Sequence, residues 1–392
     1  MKLLVDSGST KADWIAIDDK GKVLFTATYI NFGYDNRPLW QDNLNFQITS
    51  GERIALKGKN GSGKTNVLDA VHYLSMCRSY LNPMDKQNIR FNEQFFVIQG
   101  CWMKDEQPFN LYCGVKSGSK KVFKKNKKEY ERLADHIGHF PVVMISPYDT
   151  DLISEGSEVR RKWMDGIISQ FDHEYLADLQ RYNKVLDQRN ALLKLQFENG
   201  FFERESIEIW DEQLIRYGTA IHRKRVSFIE AFIPLFQHYY KWISQEQEAV
   251  SLSYESKLTD VDFRALLQQA YPKDMRVHYT SVGVHKDDIT FLLEGLPIKR
   301  FGSQGQQKSF LIALRLAQFD WLKERLKQIP ILLLDDIFDK LDNLRVAQLM
   351  ALVSKNTFGQ VLVTDTDEQR VSSIFESIQV KPKMILFNSE LV

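Results

Sequence analysis

The chain has 392 residues, is 43% hydrophobic and 26% charged, and carries a net charge of +1. Those proportions describe an ordinary globular protein with ample core for two or three domains. Near-neutrality removes any global attraction to nucleic acid, so a basic surface has to be local. Cys77, Cys101 and Cys113 are too few and too irregularly spaced for a zinc site or a disulfide framework, and read as buried thiols in a reducing compartment. No apolar run reaches membrane-spanning length and no signal-peptide core is present. The expectation is a cytoplasmic protein without a membrane partner.

Residues 2–5, 12–17 and 23–30 alternate like short strands, with Asp18-Asp19-Lys20-Gly21-Lys22 as a turn. Asp6-Ser7-Gly8-Ser9-Thr10-Lys11-Ala12-Asp13-Trp14 resembles the first phosphate loop of the sugar-kinase and actin-like ATPase superfamily. No second phosphate loop or adenosine site follows, and a plain β-hairpin on a sheet edge is the competing reading. Phe32 to Trp40, Leu44-Asn45-Phe46 and Gly51-Glu52-Arg53 are similar to the start of an ABC-type ATPase. That resemblance implies that Tyr34 stacks on adenine, as a flat aromatic face can do at low entropic cost; a core tyrosine is the alternative.

Gly58-Lys59-Asn60-Gly61-Ser62-Gly63-Lys64-Thr65 fits the phosphate-binding P-loop pattern. A short apolar strand at 53–56 precedes it, and Val67, Leu68, Ala70, Val71 and Leu74 follow with helical spacing. Strand, glycine loop and helix are the context this motif requires. Gly58, Asn60, Gly61, Ser62 and Gly63 turn backbone N–H groups toward phosphate oxygens, and the helix N-terminus adds partial positive charge. Lys64 reaches the β- and γ-phosphates of ATP, and Thr65 ligates Mg²⁺.

Residues 95–100 and 109–115 read as antiparallel strands. Between 117 and 128 lies a polar loop with Lys120, Lys121, Lys124, Lys125, Lys127 and Lys128. Such a run is either a solvated hairpin tip or a DNA-phosphate contact. Pro141 to Ile145 is a buried strand running into Ser146-Pro147-Tyr148-Asp149. Arg160 and Arg161 are adjacent on a helix, so they cannot share one face; one is expected to pair internally while the other reaches an anion.

Residues 170–245 change character. Tyr175, Leu176, Leu179, Tyr182, Val185 and Leu186, and then Ile207, Trp210, Leu214, Tyr217, Ile221 and Phe228, form two helical stripes. A polar link at 198–205 makes them a helical hairpin, and Pro234 is expected to kink or end the second helix. Strands follow near 250–254 and 289–298, with a helix near 261–270 between them. His285-Lys286-Asp287-Asp288 reads as a structural cluster rather than a catalytic one.

Ser303-Gln304-Gly305-Gln306-Gln307 precedes a helix and matches the position of the ABC signature, with Ser303, Gly305 and Gln306 placed for a γ-phosphate at a helix N-terminus. Ile331 to Leu334 is a fully apolar run that delivers Asp335 to Mg²⁺ and Asp336 to the attacking water. Aspartate is one methylene shorter than the usual glutamate, which predicts slow turnover. Leu341-Asp342 fits the loop that crosses a dimer. Thr364, at the end of the 360–366 strand, stands where transporters carry a histidine.

The P-loop with Asn66 to Val71, Ser146-Pro147 with Asp149, Arg160-Arg161 with Asp165, Gln188 to Leu193, Gly283 to Asp288, Ser303 to Ser309 and Leu332 to Asp336 together resemble the RecF family of bacterial recombination mediators. The departure is the first sixty residues. The resemblance implies an α/β ABC-type ATPase head with a mixed sheet and an inserted α-helical arm. The expected division is a first head segment at 1–168, the arm at 169–246 and a second head segment at 247–392. It implies an ATP-driven homodimer that binds single-stranded and gapped duplex DNA, clamps it with the arms, works with RecR and RecO in recombinase loading, gap repair, replication and the SOS response, and is reset by slow hydrolysis. The competing readings are a transport- or translation-associated ABC subunit and a DNA clamp that binds ATP without cutting it.

Overall fold

In the computed structural model, residues 4–8, 11–17, 23–28, 53–58, 63–82, 84–89, 93–104, 107–200, 203–245, 248–337, 343–353, 358–365 and 383–387 are described. The strands in chain order are β1 (Leu4–Gly8), β2 (Lys11–Ile17), β3 (Val23–Thr28), β4 (Arg53–Gly58), β5 (Phe95–Lys104), β6 (Gln107–Lys116), β7 (Val122–Lys125), β8 (Lys128–Glu129), β9 (Val142–Ile145), β10 (Val250–Glu255), β11 (Asp288–Leu293), β12 (Leu296–Pro297), β13 (Ile331–Asp335), β14 (Val361–Asp365) and β15 (Lys383–Phe387). The α-helices are α1 (Lys64–Met76), α2 (Asp151–Ser154), α3 (Ser157–Phe171), α4 (His173–Asn199), α5 (Arg204–Ser244), α6 (Phe263–Val277), α7 (Ile298–Phe301), α8 (Gln304–Leu326) and α9 (Asn343–Val353). The chain divides into two units, residues 1–149 with 318–392, and residues 150–317. The 169–246 segment expected as an arm lies wholly within the second.

The first unit is built on a sheet in the order β15-β4-β14-β13-β9, parallel throughout. Its strands are apolar because both faces are covered: Ile54, Leu56, Leu332, Leu333, Leu334, Val361 and Val363 are all inaccessible to solvent. Parallel strands all point one way. The registers therefore bring the carboxyl ends of β4, β9, β13 and β14 to one edge, with Asp335 opposite Thr364 and Leu334 opposite Ile145. Binding sites in parallel sheets form outside such an edge.

α1 buries Leu68, Val71 and Leu74 in a core shared with Phe96, Ile98, Leu111 and Cys113 of a separate antiparallel sheet, ordered β5-β6-β7-β8. Parallel and antiparallel strands thus occupy different sheets among the described residues. Cys77, Cys101 and Cys113 are buried free thiols. The lysine-rich loop is itself a small hairpin, β7 paired with β8. Its turn residues Asn126 and Lys127 both take positive φ, as in a type I′ two-residue hairpin turn. Strands β1, β2 and β3 form an antiparallel sheet. Of the kinase-like stretch, Asp6 to Gly8 lies in β1 and Lys11 to Trp14 in β2, while Ser9, Thr10 and Tyr34 lie outside the described residues.

In the second unit, α4 and α5 make the helical hairpin. Asp172 caps α4 by accepting from the Tyr175 N–H, and Gly200, at φ 62°, ends it. α5 is one helix of 41 residues with Pro234 inside it, so the proline does not end the helix. Packing of Phe228, Phe232 and Phe236, all buried, outweighs the one backbone hydrogen bond that proline removes. Arg189 in α4 bonds Asp211 of α5, Asp274 of α6 and the Thr280 hydroxyl. Arg225 in α5 makes a two-pronged contact with Asp165 of α3 and reaches Asp287. These buried, charge-assisted contacts fix the register of the helices. No described helix is long and apolar enough to cross a membrane.

Candidate functional site

Three hydroxyls converge on one carboxylate at the edge of the parallel sheet. The Thr65 hydroxyl donates to Asp335 Oδ1 at 2.8 Å. The Thr364 hydroxyl donates to the same oxygen at 2.7 Å. The Ser146 hydroxyl donates to Asp335 Oδ2 at 3.4 Å. Each comes from a different element: the first turn of α1, the end of β14 and the end of β9. Thr364 is an acceptor too, since its hydroxyl oxygen takes the Asp336 N–H at 3.1 Å. That bond holds Asp336 just past β13 with φ of 45°, in a region aspartate tolerates better than most residues.

Burial raises the Asp335 pKa above its ordinary value, with Asp336 adding to the rise, while the hydroxyls of Thr364, Thr65 and Ser146 oppose it. Burial also lowers the pKa of Lys64, against the pull of Asp336, Asp335 and Asp365. Both shifts favour the neutral forms, as desolvation of opposite charges dictates. The Lys64 ammonium donates to the Gly58 carbonyl at 2.6 Å, which folds it back along the P-loop. Gly63 stands before α1 at φ 86° with no side-chain cap. Glycine is the residue that takes this conformation without strain, and the first amides of a helix have no intrahelical carbonyl to bond.

The donor set suits a nucleotide with Mg²⁺. A hydroxyl and a carboxylate 2.8 Å apart are hard oxygen ligands of the type and number Mg²⁺ takes from proteins. A helix N-terminus with a lysine beside it suits phosphate. Lys64, Thr65, Gly58, Gly63, Asp335, Asp336 and Thr364 are therefore brought together in one unit. Asn60, Gly61, Ser62 and the Leu341-Asp342 loop lie outside the described residues.

Ser303, Gly305 and Gln306 belong to the second unit. The Ser303 hydroxyl accepts from the Gln306 N–H at 3.2 Å, and the Gln306 side chain accepts from the Ser303 N–H at 2.7 Å. This reciprocal pair is a capping box at the start of α8. Its Ser-x-x-Gln spacing is legible in the sequence. Gln306 also donates to Glu248 at 2.6 Å. Ser303 is exposed.

The basic residues sort differently from the expectation. Arg160 and Arg161, although adjacent, both turn to the 287–288 segment. Arg160 grips the Asp288 carboxylate at 2.7 and 2.9 Å, while Arg161 donates to the Asp287 carbonyl at 2.6 Å and to Ser157. Neither extends outward: each long side chain bends back to the 287–288 segment, Arg160 to the Asp288 carboxylate and Arg161 to the Asp287 carbonyl. Lys121 is likewise tied in, to Asp85 at 2.6 Å and the Cys77 carbonyl at 2.7 Å. Lys124 sits over Tyr112 and Lys125 over Phe109 and Tyr130. Lys120 is exposed. His285 Nε2 donates to the Thr280 carbonyl and its Nδ1 accepts from the Tyr182 hydroxyl, and Asp287 is held by Arg225 and Tyr254, so this cluster binds the unit together.

Ser146 is the contact that sequence reading missed. The signal was present: a serine directly after an apolar parallel strand stands at the ligand edge of the sheet.

No family model matches the chain. It is 50% identical over 322 residues to the DNA replication and repair protein RecF of Bacteroides thetaiotaomicron, spanning 82% of this chain and 86% of the relative. It is 48% identical over 352 residues to RecF of Bacteroides fragilis, spanning 90% and 94%. Among solved structures it is similar to the recombination mediator protein RecF with ATP in the RecFOR pathway, with a TM-score of 0.77, 30% identity and coverage of 85% of this chain and 90% of that one. A second such structure, RecF-ATPrS, matches with a TM-score of 0.76 and 27% identity, covering 90% and 94%. With half its residues shared along most of both lengths, and the same fold beneath them, the chain belongs to the RecF family of DNA replication and repair proteins.

Proposed function

We propose that the chain is an ATP-dependent DNA-binding protein whose bound nucleotide closes a homodimer and whose slow hydrolysis opens it. The observation that carries this reading is the convergence of Thr65 and Thr364 on Asp335 at the edge where α1 begins. Lys64 and the amides of α1 hold the phosphates, Thr65 and Asp335 hold Mg²⁺, and Asp336 orients water. When bound, Mg²⁺ would supply neutralisation of phosphate charge. In the trans role, Ser303 keeps its hydroxyl proton for a partner's γ-phosphate, because its capping-box bond uses only the oxygen as acceptor.

DNA is the ligand of the dimer, in single-stranded and gapped duplex form, and RecR and RecO are its partners in recombinase loading. The setting is gap repair, replication and the SOS response in the cytoplasm. The exposed Lys120, with Lys124 and Lys125 beside it, takes DNA phosphate. The inward ties of Lys121, Arg160 and Arg161 argue for a structural role in those three. The head segments 1–168 and 247–392 act as the ATPase, and 169–246 as the DNA arm.

The test is molar mass in solution with and without ATP and Mg²⁺, repeated with gapped DNA. The parent chain doubles in mass only with both. Lys64→Ala stays monomeric and loses nucleotide affinity. Ser303→Tyr binds nucleotide and stays monomeric. Asp336→Asn forms a longer-lived dimer. A Ser303→Tyr chain that dimerises like its parent refutes the trans assignment, and an unchanged dimer lifetime in Asp336→Asn refutes the hydrolytic one.

A further inference from the structure

The Ser146-Pro147-Tyr148-Asp149 segment has no role in the reading above, yet its first and last side chains are buried at the site. Ser146 and Asp149 are 5% and 3% exposed. We infer that Ser146 is a positioning residue for the Mg²⁺-binding carboxylate, held in place by a hydrogen-bonded line that begins in α1 and ends on Asp335.

The line can be followed atom by atom within the first unit. Asp69, fully buried in α1, accepts from the Tyr80 N–H at 2.6 Å and from the Ser79 hydroxyl at 2.7 Å. This pins the segment that follows α1. The Tyr80 hydroxyl, held there, donates to Asp149 Oδ1. The other oxygen, Asp149 Oδ2, accepts the Ser146 N–H at 3.1 Å, and the Asp149 N–H returns to the Ser146 carbonyl at 3.0 Å. Ser146 is thus fixed at both backbone polar groups by one residue, and its hydroxyl is left to face Asp335 Oδ2.

The chemistry explains why this matters to a metal site. The two threonines occupy Asp335 Oδ1, and they alone would let the carboxylate swing about that oxygen. A donor on Oδ2 removes the freedom. Groups that hydrogen-bond to a metal ligand set its orientation and commonly change metal affinity by tenfold or more when removed. Ser146 acts through Asp335, so its loss shows in Mg²⁺ dependence rather than in nucleotide recognition. Tyr80 and Asp149 act one step further back.

The inference rests on the proposed nucleotide site. The experiment is a titration of Mg²⁺ against binding of a fluorescent ATP analogue by the full chain, comparing the parent, Ser146→Ala, Tyr80→Phe and the double variant, with melting temperature measured for each. Ser146→Ala is expected to raise the half-saturating Mg²⁺ concentration about tenfold while Mg²⁺-free binding of the analogue stays within twofold of the parent. Tyr80→Phe should move it the same way by a few-fold, and the double variant should match Ser146→Ala, because members of one line are not additive. Unchanged Mg²⁺ dependence in Ser146→Ala overturns the inference and leaves the nucleotide site standing. A shift in Tyr80→Phe that adds in full to that of Ser146→Ala overturns the line, as does a fall in melting temperature with no change in Mg²⁺ response. A parent chain that binds no ATP analogue at any Mg²⁺ concentration overturns the nucleotide reading and this inference with it.

Discussion

Replacing Asp335 with asparagine should make the ligand-free chain more stable while destroying its Mg²⁺ response. Asp335 is 2% exposed, and burial with the neighbouring Asp336 carboxylate pushes its pKa up despite three hydroxyl donors. A folded-state carboxyl that holds its proton more tightly than the unfolded one contributes stability only when protonated. That contribution is complete below the ordinary value of 3.8 and is lost as pH rises through the raised folded value, so at neutral pH the ionised group is a net cost. Asparagine has the same shape. Its oxygen can accept from Thr65 and Thr364, and its amide can face the Ser146 hydroxyl, which then accepts, so no buried partner is orphaned. The gain should be about 1 kcal/mol, the usual size for relaxing a strained functional site, or roughly 2–4 °C in melting temperature for a unit of this size. Differential scanning fluorimetry at pH 7 without nucleotide measures the gain, and Mg²⁺ titration of ATP-analogue binding measures the loss. A melting temperature below that of the parent, or a retained Mg²⁺ response, would refute the reasoning.

Other consequences can be measured separately. His136, buried, and His285, partly buried, have pKa values lowered to about 4 by desolvation; since the unfolded chain takes up their protons near 6.5, the stability they lend is full above that pH and is lost between 6.5 and about 4. Unfolding free energies from urea titrations followed by tryptophan fluorescence should fall across that window by up to about 3 kcal/mol per histidine, and His136→Gln should remove roughly half of the drop. Lys120→Glu with Lys124→Glu should weaken duplex DNA binding and reduce the salt-dependence slope by about 2, whereas Lys121→Ala should leave that slope unchanged and cost about 1–2 kcal/mol of stability, because its bonds go to Asp85 and the Cys77 carbonyl. Arg225→Met should destabilise the second unit by about 3–5 kcal/mol, since it strands Asp165 and the buried Asp287; adding Asp165→Leu should restore part of the loss, and equal urea midpoints for parent and single variant would count against the ion-pair account.

Local chemistry made much of this protein legible in one dimension. The P-loop glycines, the apolar run ending in Asp335 and the two helical stripes of the arm each carry their signal in neighbouring residues, because backbone conformation and strand or helix burial are set by short-range spacing. Ser303 and Gln306 likewise declare a helix start within four residues. Tertiary structure alone decided which polar groups meet. Thr65, Ser146, Asp335 and Thr364 are separated by scores of residues and become neighbours only because parallel strands bring their carboxyl ends to one edge. The lysines and arginines show the converse. A long cationic side chain has many rotamers, so its sequence position cannot tell whether it faces solvent or, like Lys121, Arg160 and Arg161, bends back to a carboxylate or carbonyl that folding has placed within reach. The passage of α5 through Pro234 has the same origin, since a local preference against helix yields when the aromatic face on either side is buried.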